Sequence, residues 1–300
     1  MRQRLVSRAA AHLRRSLGFD DLESRLDALD HRLASLDATR YPAGPVYLGD
    51  HLALVETRWG AKMAVDTRDS LLAPWLLLDG LWEAHVTGWF HQVLRPGDVL
   101  VDVGANVGYF TLLGARLVGE RGRVVAVEAH PGLVEVLRRN VVINGVHDRV
   151  TVWHRAAWSE ATTVMFHQRA HYSANSSVGS VDEGRLAALG DTEEAVQVEA
   201  VPVDQLLEGV PHVDLLKVDV EGAEVRAFEG LGRTLADNPD LTVMFEWSPE
   251  QLYQVGDTPA ALVDLLAGYG FRLRLLEDDL HVIDRARLLD LPYGNVVAER

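Results

Sequence analysis

A chain of 300 residues, 48% of them hydrophobic, is long enough for one large domain with an additional segment and can bury a substantial core. The formal net charge of −15 argues against duplex nucleic acid as the main partner, because phosphate binding needs clustered positive charge. The absence of cysteine excludes disulfides, thiolate catalysis and zinc–thiolate sites.

The amino-terminal segment MRQRLVSRAAAHLRR is rich in arginine but lacks the apolar stretch of a signal peptide. No apolar run in the sequence approaches the ~18 residues that a membrane-spanning helix needs. We therefore expect a cytoplasmic protein. Contact of residues 1–15 with an acidic membrane surface is an open alternative, although the apolar face of this segment is weak.

Residues 1–40 carry leucines at alternating spacings of four and three, the apolar seam of a coiled coil. These are Leu22, Leu26, Leu29, Leu33 and Leu36. Two interpretations are open: a short helix that makes the chain a homodimer, which we favour, and a helix packed on its own domain. The segment YPAGP, Tyr41–Pro45, is typical of a linker that ends the helix.

Residues 41–80 predict a linker and a β-hairpin or meander over 46–66, with turns near Gly49 and Gly60. A helical pattern covers 81–94. Strands are then expected at 98–103, 123–128, 149–154, 213–219, 241–247 and 271–276, and helices at 107–118, 132–143, 222–235 and 258–269. This alternation predicts an α/β domain over residues 81–300, with a mostly parallel sheet and helices on both faces. The polar insert at 159–196 lacks a helical period and predicts a hairpin with a mobile loop.

The first strand of this domain runs into the loop Gly104–Gly108. A dinucleotide-binding loop, G-x-G-x-x-G, would have its second glycine where Asn106 stands, so the loop lacks the close approach that two phosphates require. Glu128 ends the next strand, twenty residues after Gly108, where a carboxylate can accept both ribose hydroxyls. A site for a ribose beside a loop that cannot hold two phosphates favours S-adenosylmethionine as the ligand.

Two further residues have open roles near this loop. Asp102, at the buried strand end, would bond loop amides or the ammonium group of the ligand, or be purely structural. Trp158 would flank the adenine, with Ala156 and Ala157 leaving room for the ring, or contribute only packing.

The stretch VDLLKVDVEGAEVRAFEG brings a second group of charges together. Lys217 interrupts an apolar strand and needs an ionic partner there. Alternation along the chain places Lys217, Asp219 and Glu221 on one side, and LTVMFEWS delivers Glu246 to the end of the following strand. The strand ends therefore bring carboxylates to one crevice.

Methyl transfer from such a ligand needs alignment of the reactants, and an alcohol acceptor would also need removal of its proton. Asp219 and Glu246 are candidates to hold the hydroxyl, one of them as base. His171 of the polar insert is a further candidate base, although a solvated loop histidine is the simpler interpretation. Alternatively, Asp219, Glu221 and Glu246 would bind Mg²⁺, which prefers oxygen ligands.

Three separated motifs resemble the FkbM-type family of S-adenosylmethionine-dependent methyltransferases over about Leu81 to Phe271. They are DVGANVGYFTLLGARLVG, VVAVEAHPGLVEVLRRNVVING and VPVDQLLEGVPHVDLLKVDVEGAEVRAFEG. The resemblance implies a Rossmann-like, doubly wound, seven-stranded sheet of the class I methyltransferase type. It also implies that Glu83, in DGLWEAHVTGWF, contacts the cofactor; a metal is not implied.

The resemblance further implies O-methylation of a sugar, a glycan or a secondary metabolite. We favour a glycan because the insert offers hydrogen-bonding side chains, at His171, Tyr172, Ser173, Asn175, Ser176 and Ser177. A non-catalytic cofactor-binding module is the remaining alternative. The candidate catalytic residues are Asp219, Glu246, Glu221, Lys217 and His171. The candidate cofactor-binding residues are Glu83, Asp102, Gly104, Ala105, Asn106, Gly108, Glu128, Ala129, Ala157 and Trp158.

Overall fold

The computed structural model describes residues 44–277 and 279–300. The leucine seam expected within residues 1–40 and the expected membrane contact of residues 1–15 therefore lie outside the described residues. In the described ranges, no helix combines the length and apolar character needed to cross a membrane.

The segment after the linker forms a small antiparallel sheet. Its strands are β1 (Val46–Gly49), β2 (Leu52–Glu56) and β3 (Lys62–Asp66), in the order β1-β2-β3. This is the meander predicted from the sequence. Two helices follow, α1 (Leu72–Leu78), which the sequence analysis missed, and α2 (Ala84–Val93), which lies inside the predicted range 81–94.

The rest of the chain contains the predicted strands and helices, together with several short elements and a last strand that the sequence analysis did not predict. The elements are β4 (Val99–Val103), α3 (Tyr109–Val118), β5 (Arg123–Glu128), α4 (Pro131–Ile143), β6 (Val150–His154), β7 (Ala156–Ala157), β8 (Thr162–Arg169), α5 (Glu183–Leu189), β9 (Glu193–Val201), α6 (Val203–Leu206), β10 (Leu215–Val218), α7 (Glu224–Glu229), α8 (Gly232–Asp237), β11 (Thr242–Trp247), α9 (Pro249–Gln254), α10 (Pro259–Gly268), β12 (Arg272–Leu276), β13 (Leu280–Val282), α11 (Arg285–Leu289) and β14 (Gly294–Glu299).

The large sheet has the order β13-β12-β14-β11-β10-β4-β5-β6. Neighbours from β11 through β6 pair in parallel, whereas β14 lies antiparallel between β11 and β12. This is a doubly wound, mostly parallel sheet within an α/β domain, which confirms the predicted fold class. The short strand β13 adds an eighth strand to the seven expected, because the chain turns back after β12 and pairs along the sheet edge.

Both faces of the central strands are covered, which explains their continuous apolar sequences. Every residue of β4 and of β10 is buried. One face packs against α2, α3 and α4, with Phe90, Leu113 and Leu137 in the contact region. The opposite face packs against α7, α8 and α10, with Phe228, Leu235 and Leu262.

Two regions differ in detail from the sequence prediction. The helix expected at 222–235 is two short helices, α7 and α8, separated at Gly230. A Cβ at Gly230 would lie 2.0 Å from the carbonyl oxygen of Trp158, so the chain passes too close there for a larger residue. The insert at 159–196 contains the predicted hairpin, formed by β8 and β9, but its connection also includes helix α5.

Candidate active site

A cavity of about 580 Å³ lies at the carboxyl ends of β4, β5, β10 and β11. The strand order reverses between β4 and β10, since β5 and β6 continue the sheet on one side and β11 on the other. Open α/β sheets bind their ligands at such a switch point. The volume is also within the range of small-molecule sites, about 300–1,000 Å³. This cavity is therefore the candidate active site.

The loop after β4 forms one wall of the cavity and lies directly against the end of β10. Gly104 has φ +79°, and a Cβ there would lie 1.7 Å from the main-chain oxygen of Asp219. Asn106 also has left-handed backbone, with φ +51°. Its main-chain N–H donates to Oε2 of Glu128 at 2.7 Å. This amide is engaged by a carboxylate, as expected for a loop that does not hold a pyrophosphate.

Glu128 ends β5 on the cavity wall. Its Oε1 accepts a hydrogen bond from the main-chain N–H of His130 at 2.7 Å, which together with the Asn106 bond fixes the carboxylate. Burial raises the pKa of Glu128 to about 7, although these main-chain donors oppose the rise. Each carboxylate oxygen can accept a further hydrogen bond. Glu128 is therefore positioned to receive two hydroxyl groups.

Lys217 is a buried cation near the end of β10. Its Nζ lies 2.9 Å from Oδ2 of Asp219 and 3.8 Å from Oδ1 of Asp102. Burial lowers the pKa of Lys217, but the carboxylates of Asp219 and Asp102 outweigh burial and raise it above its ordinary value. Lys217 therefore stays charged and orients the carboxylate of Asp219.

Three carboxylates converge beside Lys217. Asp219, Glu221 and Glu246 each offer an oxygen, and these oxygens lie within 4.8 Å of one another. Burial, followed by the charge of Asp219, raises the pKa of Glu221 well above its ordinary value. Burial and the charge of Glu221 do the same for the pKa of Glu246. This acidic cluster, Asp219, Glu221 and Glu246, has an affinity for protons or for another cation.

Several neutral side chains hold the acidic cluster in place. The Tyr293 hydroxyl donates to Oε1 of Glu246 at 2.8 Å. Asn175 Nδ2 donates to Oε2 of Glu221 at 3.3 Å, and Gln251 Nε2 donates to the same oxygen. Tyr293, Asn175 and Gln251 all line the cavity.

Backbone strain is concentrated around the cavity. Glu83, Asn106 and Glu221 have positive φ values of 40°, 51° and 54°, and all three line the cavity. Left-handed backbone is costly for residues other than glycine and marks positions that the surrounding structure holds in place. Glu83 directly precedes α2, and burial together with the charge of Asp219 raises its pKa to about 7.

The structure brings most of the predicted site residues to the cavity. Those that line it are Glu83, Gly104, Ala105, Asn106, Glu128, Ala129, Ala157, Lys217, Asp219, Glu221 and Glu246. They come from separate strand ends and loops, which the predicted sheet topology places at one edge.

Four predicted residues lie elsewhere. Asp102 is fully buried, where it accepts a hydrogen bond from Thr111 Oγ1 at 2.6 Å and lies behind Lys217. Gly108 allows close packing, since a Cβ there would lie 2.3 Å from Leu137 Cδ1.

Trp158 packs against the small sheet of β7, β8 and β9 rather than beside the cavity. His171 is not among the residues that line the cavity: its main-chain N–H donates to Asp191, and its ring Nδ1 lies 3.3 Å from the main-chain oxygen of Arg68. The placement of His171 does not favour its role as the base.

Sequence reasoning missed Tyr293 and Gln251. Tyr293 directly precedes β14, a strand without a recognisable motif, which approaches the cavity only because it inserts antiparallel between β11 and β12. Gln251 lies in α9, whose six residues are too few for a periodic signal.

Comparison with known proteins identifies the family. The model of the FkbM methyltransferase domain matches residues 102–273. The chain is similar to the 31-O-demethyl-FK506 methyltransferase FkbM of Streptomyces tacrolimicus, at 31% identity over 208 residues, which cover 62% of this chain and 77% of that protein. It is also similar to the methyltransferase sdnD of Sordaria araneosa, at 28% identity over 184 residues, covering 52% and 69%.

Among solved structures, the chain is similar to a methyltransferase FkbM from Methylobacillus flagellatus KT. The identity is 15% and the TM-score 0.42, covering 71% of this chain and 50% of that chain.

The residues present fit S-adenosylmethionine. Glu128 offers paired acceptors for a ribose, and the loop of Asn106 lacks a phosphate cradle. The acidic cluster lines the same cavity and complements a ligand that carries a sulfonium and an ammonium group. With a family model that matches more than half of its length, the chain belongs to the FkbM methyltransferase family and is an S-adenosylmethionine-dependent methyltransferase.

Proposed function

We propose that this enzyme transfers a methyl group to a hydroxyl of a sugar or glycan. The observation that carries the proposal is the placement of Asp219 and Glu246 in one cavity with Glu128. In this arrangement Glu128 would bind the ribose of S-adenosylmethionine, and the acidic cluster would lie near the methyl group and the acceptor.

The cofactor supplies a methyl group already activated on a sulfonium, so the chain contributes mainly alignment and proton removal. Lys217 holds Asp219 through its 2.9 Å ion pair, and Tyr293 holds Glu246. The acceptor hydroxyl donates to one of these carboxylates. That carboxylate would take the proton as the hydroxyl oxygen accepts the methyl group, and the cofactor would leave as the neutral thioether. A positioned base contributes about 10²–10⁴-fold to such a step.

The acceptor side of the cavity supports a polyhydroxylated substrate. Its wall includes many hydrogen-bonding side chains beside apolar ones such as Leu71, Val178 and Leu189. The hydrogen-bonding side chains include Tyr172, Ser173, Asn175, Ser176, Ser177, Gln251 and Gln254. A sugar ring presents several hydroxyls that such a wall satisfies.

A hydroxyl of a secondary metabolite is the second candidate acceptor. The observation that favours it is the similarity to a 31-O-demethyl-FK506 methyltransferase, whose name states methyl transfer to an oxygen of a natural product. The acidic cluster would serve such a hydroxyl equally well, so the two acceptors differ in the fit to the polar wall and not in the chemistry.

A methyl-transfer screen with labelled S-adenosylmethionine distinguishes these acceptors. The panel contains monosaccharides, oligosaccharides, glycolipids and hydroxylated natural products, each with and without chelator. We expect transfer to a sugar hydroxyl. Transfer confined to natural products would select the second candidate, and transfer confined to amines would refute O-methylation. Calorimetry with S-adenosylmethionine and with NAD provides the check on the cofactor.

A further inference from the structure

Neither the proposed proton transfer nor Lys217 fully explains why three carboxylates of the acidic cluster lie so close together. Oxygens from Asp219, Glu221 and Glu246 lie within 4.8 Å of one another. They come from the end of β10, from the turn after it and from β11. Carboxylates held this close repel one another unless a proton or a cation lies between them.

Two buried oxygen atoms in and beside the acidic cluster have no hydrogen-bond donor. Glu246 is only 9% exposed, and its Oε2 is a buried oxygen without a hydrogen-bond partner. Gln251, whose amide nitrogen donates to Glu221, likewise has its Oε1 buried without a partner. Both unpartnered atoms are acceptors. A buried carboxylate oxygen without a donor is costly, so the structure calls for a donor or a cation at this position.

Lys217 does not fill this position. Its Nζ bonds Oδ2 of Asp219 and lies 3.8 Å from Asp102, at the base of the cavity. No Lys217 ion pair with Glu221 or Glu246 forms among the described residues. Lys217 donates its hydrogen bond to Oδ2 of Asp219, which leaves Oδ1 as the oxygen that a further cation would bind.

We propose that Asp219, Glu221 and Glu246 bind one divalent cation of the Mg²⁺ or Mn²⁺ class. These ions take oxygen ligands and keep some of their waters, which suits three carboxylates that line a cavity. The binding site is argued from the side chains alone. Its use rests on the proposed function: an acceptor oxygen would replace a bound water, and the cation would stabilise the charge that develops on it.

The test is a titration of the full-length protein with Mn²⁺, followed by electron paramagnetic resonance of the free ion, without cofactor or acceptor. We expect saturable binding of one Mn²⁺ per chain, displaced by Mg²⁺. Glu246→Gln and Glu221→Gln keep the size of each side chain and should each weaken the affinity at least tenfold. Glu250→Gln is the matched control, because Glu250 lines the same cavity but is ion-paired with Arg185 and lies outside the acidic cluster. It should bind Mn²⁺ like the wild type.

Absence of saturable Mn²⁺ binding to the wild type would overturn the proposal, as would unchanged affinity in both Glu246→Gln and Glu221→Gln. The two variants come from different elements, so misfolding of one leaves the other to decide. Calorimetry with S-adenosylmethionine on the same samples separates this outcome from a failure of the proposed function. A protein that binds the cofactor and transfers methyl groups to a hydroxyl but does not bind Mn²⁺ would refute the cation site alone.

Discussion

The surroundings of Glu128 fix both the position and the pKa of its carboxylate. Two main-chain N–H groups fix its carboxylate, while burial raises its pKa to about 7. The position at the end of β5 was predictable from its spacing after the glycine loop. The raised pKa was not, because it depends on the burial that the surrounding helices impose.

Replacement of Glu128 by glutamine should weaken S-adenosylmethionine binding roughly 10- to 100-fold. The reason is the loss of charge-assisted hydrogen bonds to the ribose, each worth about 1.5–3 kcal/mol. Calorimetric titration measures the effect. Glu135→Gln, on helix α4 and outside the cavity lining, is the control and should bind like the wild type. An affinity within threefold of the wild type in Glu128→Gln would remove this residue from the ribose site.

The affinity for S-adenosylmethionine should also depend on pH. Since the pKa of Glu128 is about 7 rather than the ordinary 4.5, its carboxylate becomes protonated as the pH falls through about 7. In the proposed binding mode the ionised form accepts both ribose hydroxyls, so binding should be strongest above that pH and weaken below it. Titrations at a series of pH values test this, and Glu128→Gln should abolish this part of the pH dependence. An identical pH profile in the variant would contradict the assignment.

Asp219→Asn should bind cofactor and lose turnover. The variant keeps the side-chain size but removes the charge beside the acceptor, and the expected loss of kcat is about 10²–10⁴-fold. Lys217 retains Asp102 as an ionic neighbour, so the fold should persist. The measurement compares kcat with the calorimetric affinity for S-adenosylmethionine. Unchanged turnover would exclude Asp219 from the catalytic step.

Alternation along the chain predicted correctly that Lys217, Asp219 and Glu221 come together. It could not reveal Tyr293, because the antiparallel insertion of β14 is a tertiary event without a local signal. His171 has the chemistry of a base, but the hairpin that carries it turns the ring towards Arg68. Residue type alone therefore overestimates the role of His171.

At the scale of secondary-structure elements, the site depends on the contact between the loop after β4 and the end of β10. Gly104 makes that contact, with φ +79° and its Cβ position 1.7 Å from the Asp219 carbonyl oxygen. Any side chain at Gly104 would displace the main chain that carries Asp219. The loop and the acidic cluster are therefore coupled through one close approach.

Gly104→Ala should destabilise the protein more than Gly270→Ala. Gly270 has a similar φ of +86° but nothing within 4 Å of its Cβ position, so its replacement costs only the backbone strain, about 1–2 kcal/mol. Gly104→Ala adds a clash with main chain, which costs typically about 1–3 kcal/mol more. Thermal unfolding of both variants gives the comparison. Equal melting temperatures would contradict the close approach.

Long apolar strands were the most predictable elements, because burial on both faces leaves a continuous apolar signal in β4, β10 and β11. The helix expected at 222–235 was predicted as one element because apolar periodicity does not register the approach of Trp158 to Gly230. Short helices such as α9 and α11 carry too few turns to show a period. The local sequence pattern thus predicts the strands of the sheet, whereas tertiary contacts determine where the helices end.

At the scale of the whole molecule, the doubly wound sheet explains why distant segments share one cavity. Individual residues as far apart in sequence as Glu83 and Tyr293 meet where the strand order reverses.

The leucine seam of residues 22–36 lies outside the described residues, and we propose that it makes the chain a homodimer.

Light scattering tests the homodimer. The full chain of 33.1 kDa should have the mass of a dimer, about 66 kDa, because paired helices bury the leucines that a single helix would expose. A chain without residues 1–40, and a full-length Leu26→Ala/Leu33→Ala variant, should have the monomer mass. A monomeric full chain would refute the proposed dimer.

The central claim is that S-adenosylmethionine lies across the switch point, with its ribose at Glu128 and its methyl group facing the acidic cluster. A crystal structure of the complex with S-adenosylmethionine measures this directly. The account predicts both ribose hydroxyls within hydrogen-bonding distance of the Glu128 carboxylate and the sulfur beside Asp219. A complex in which Glu128 points away from the ribose, or in which Asp219 is remote from the sulfur, would contradict it.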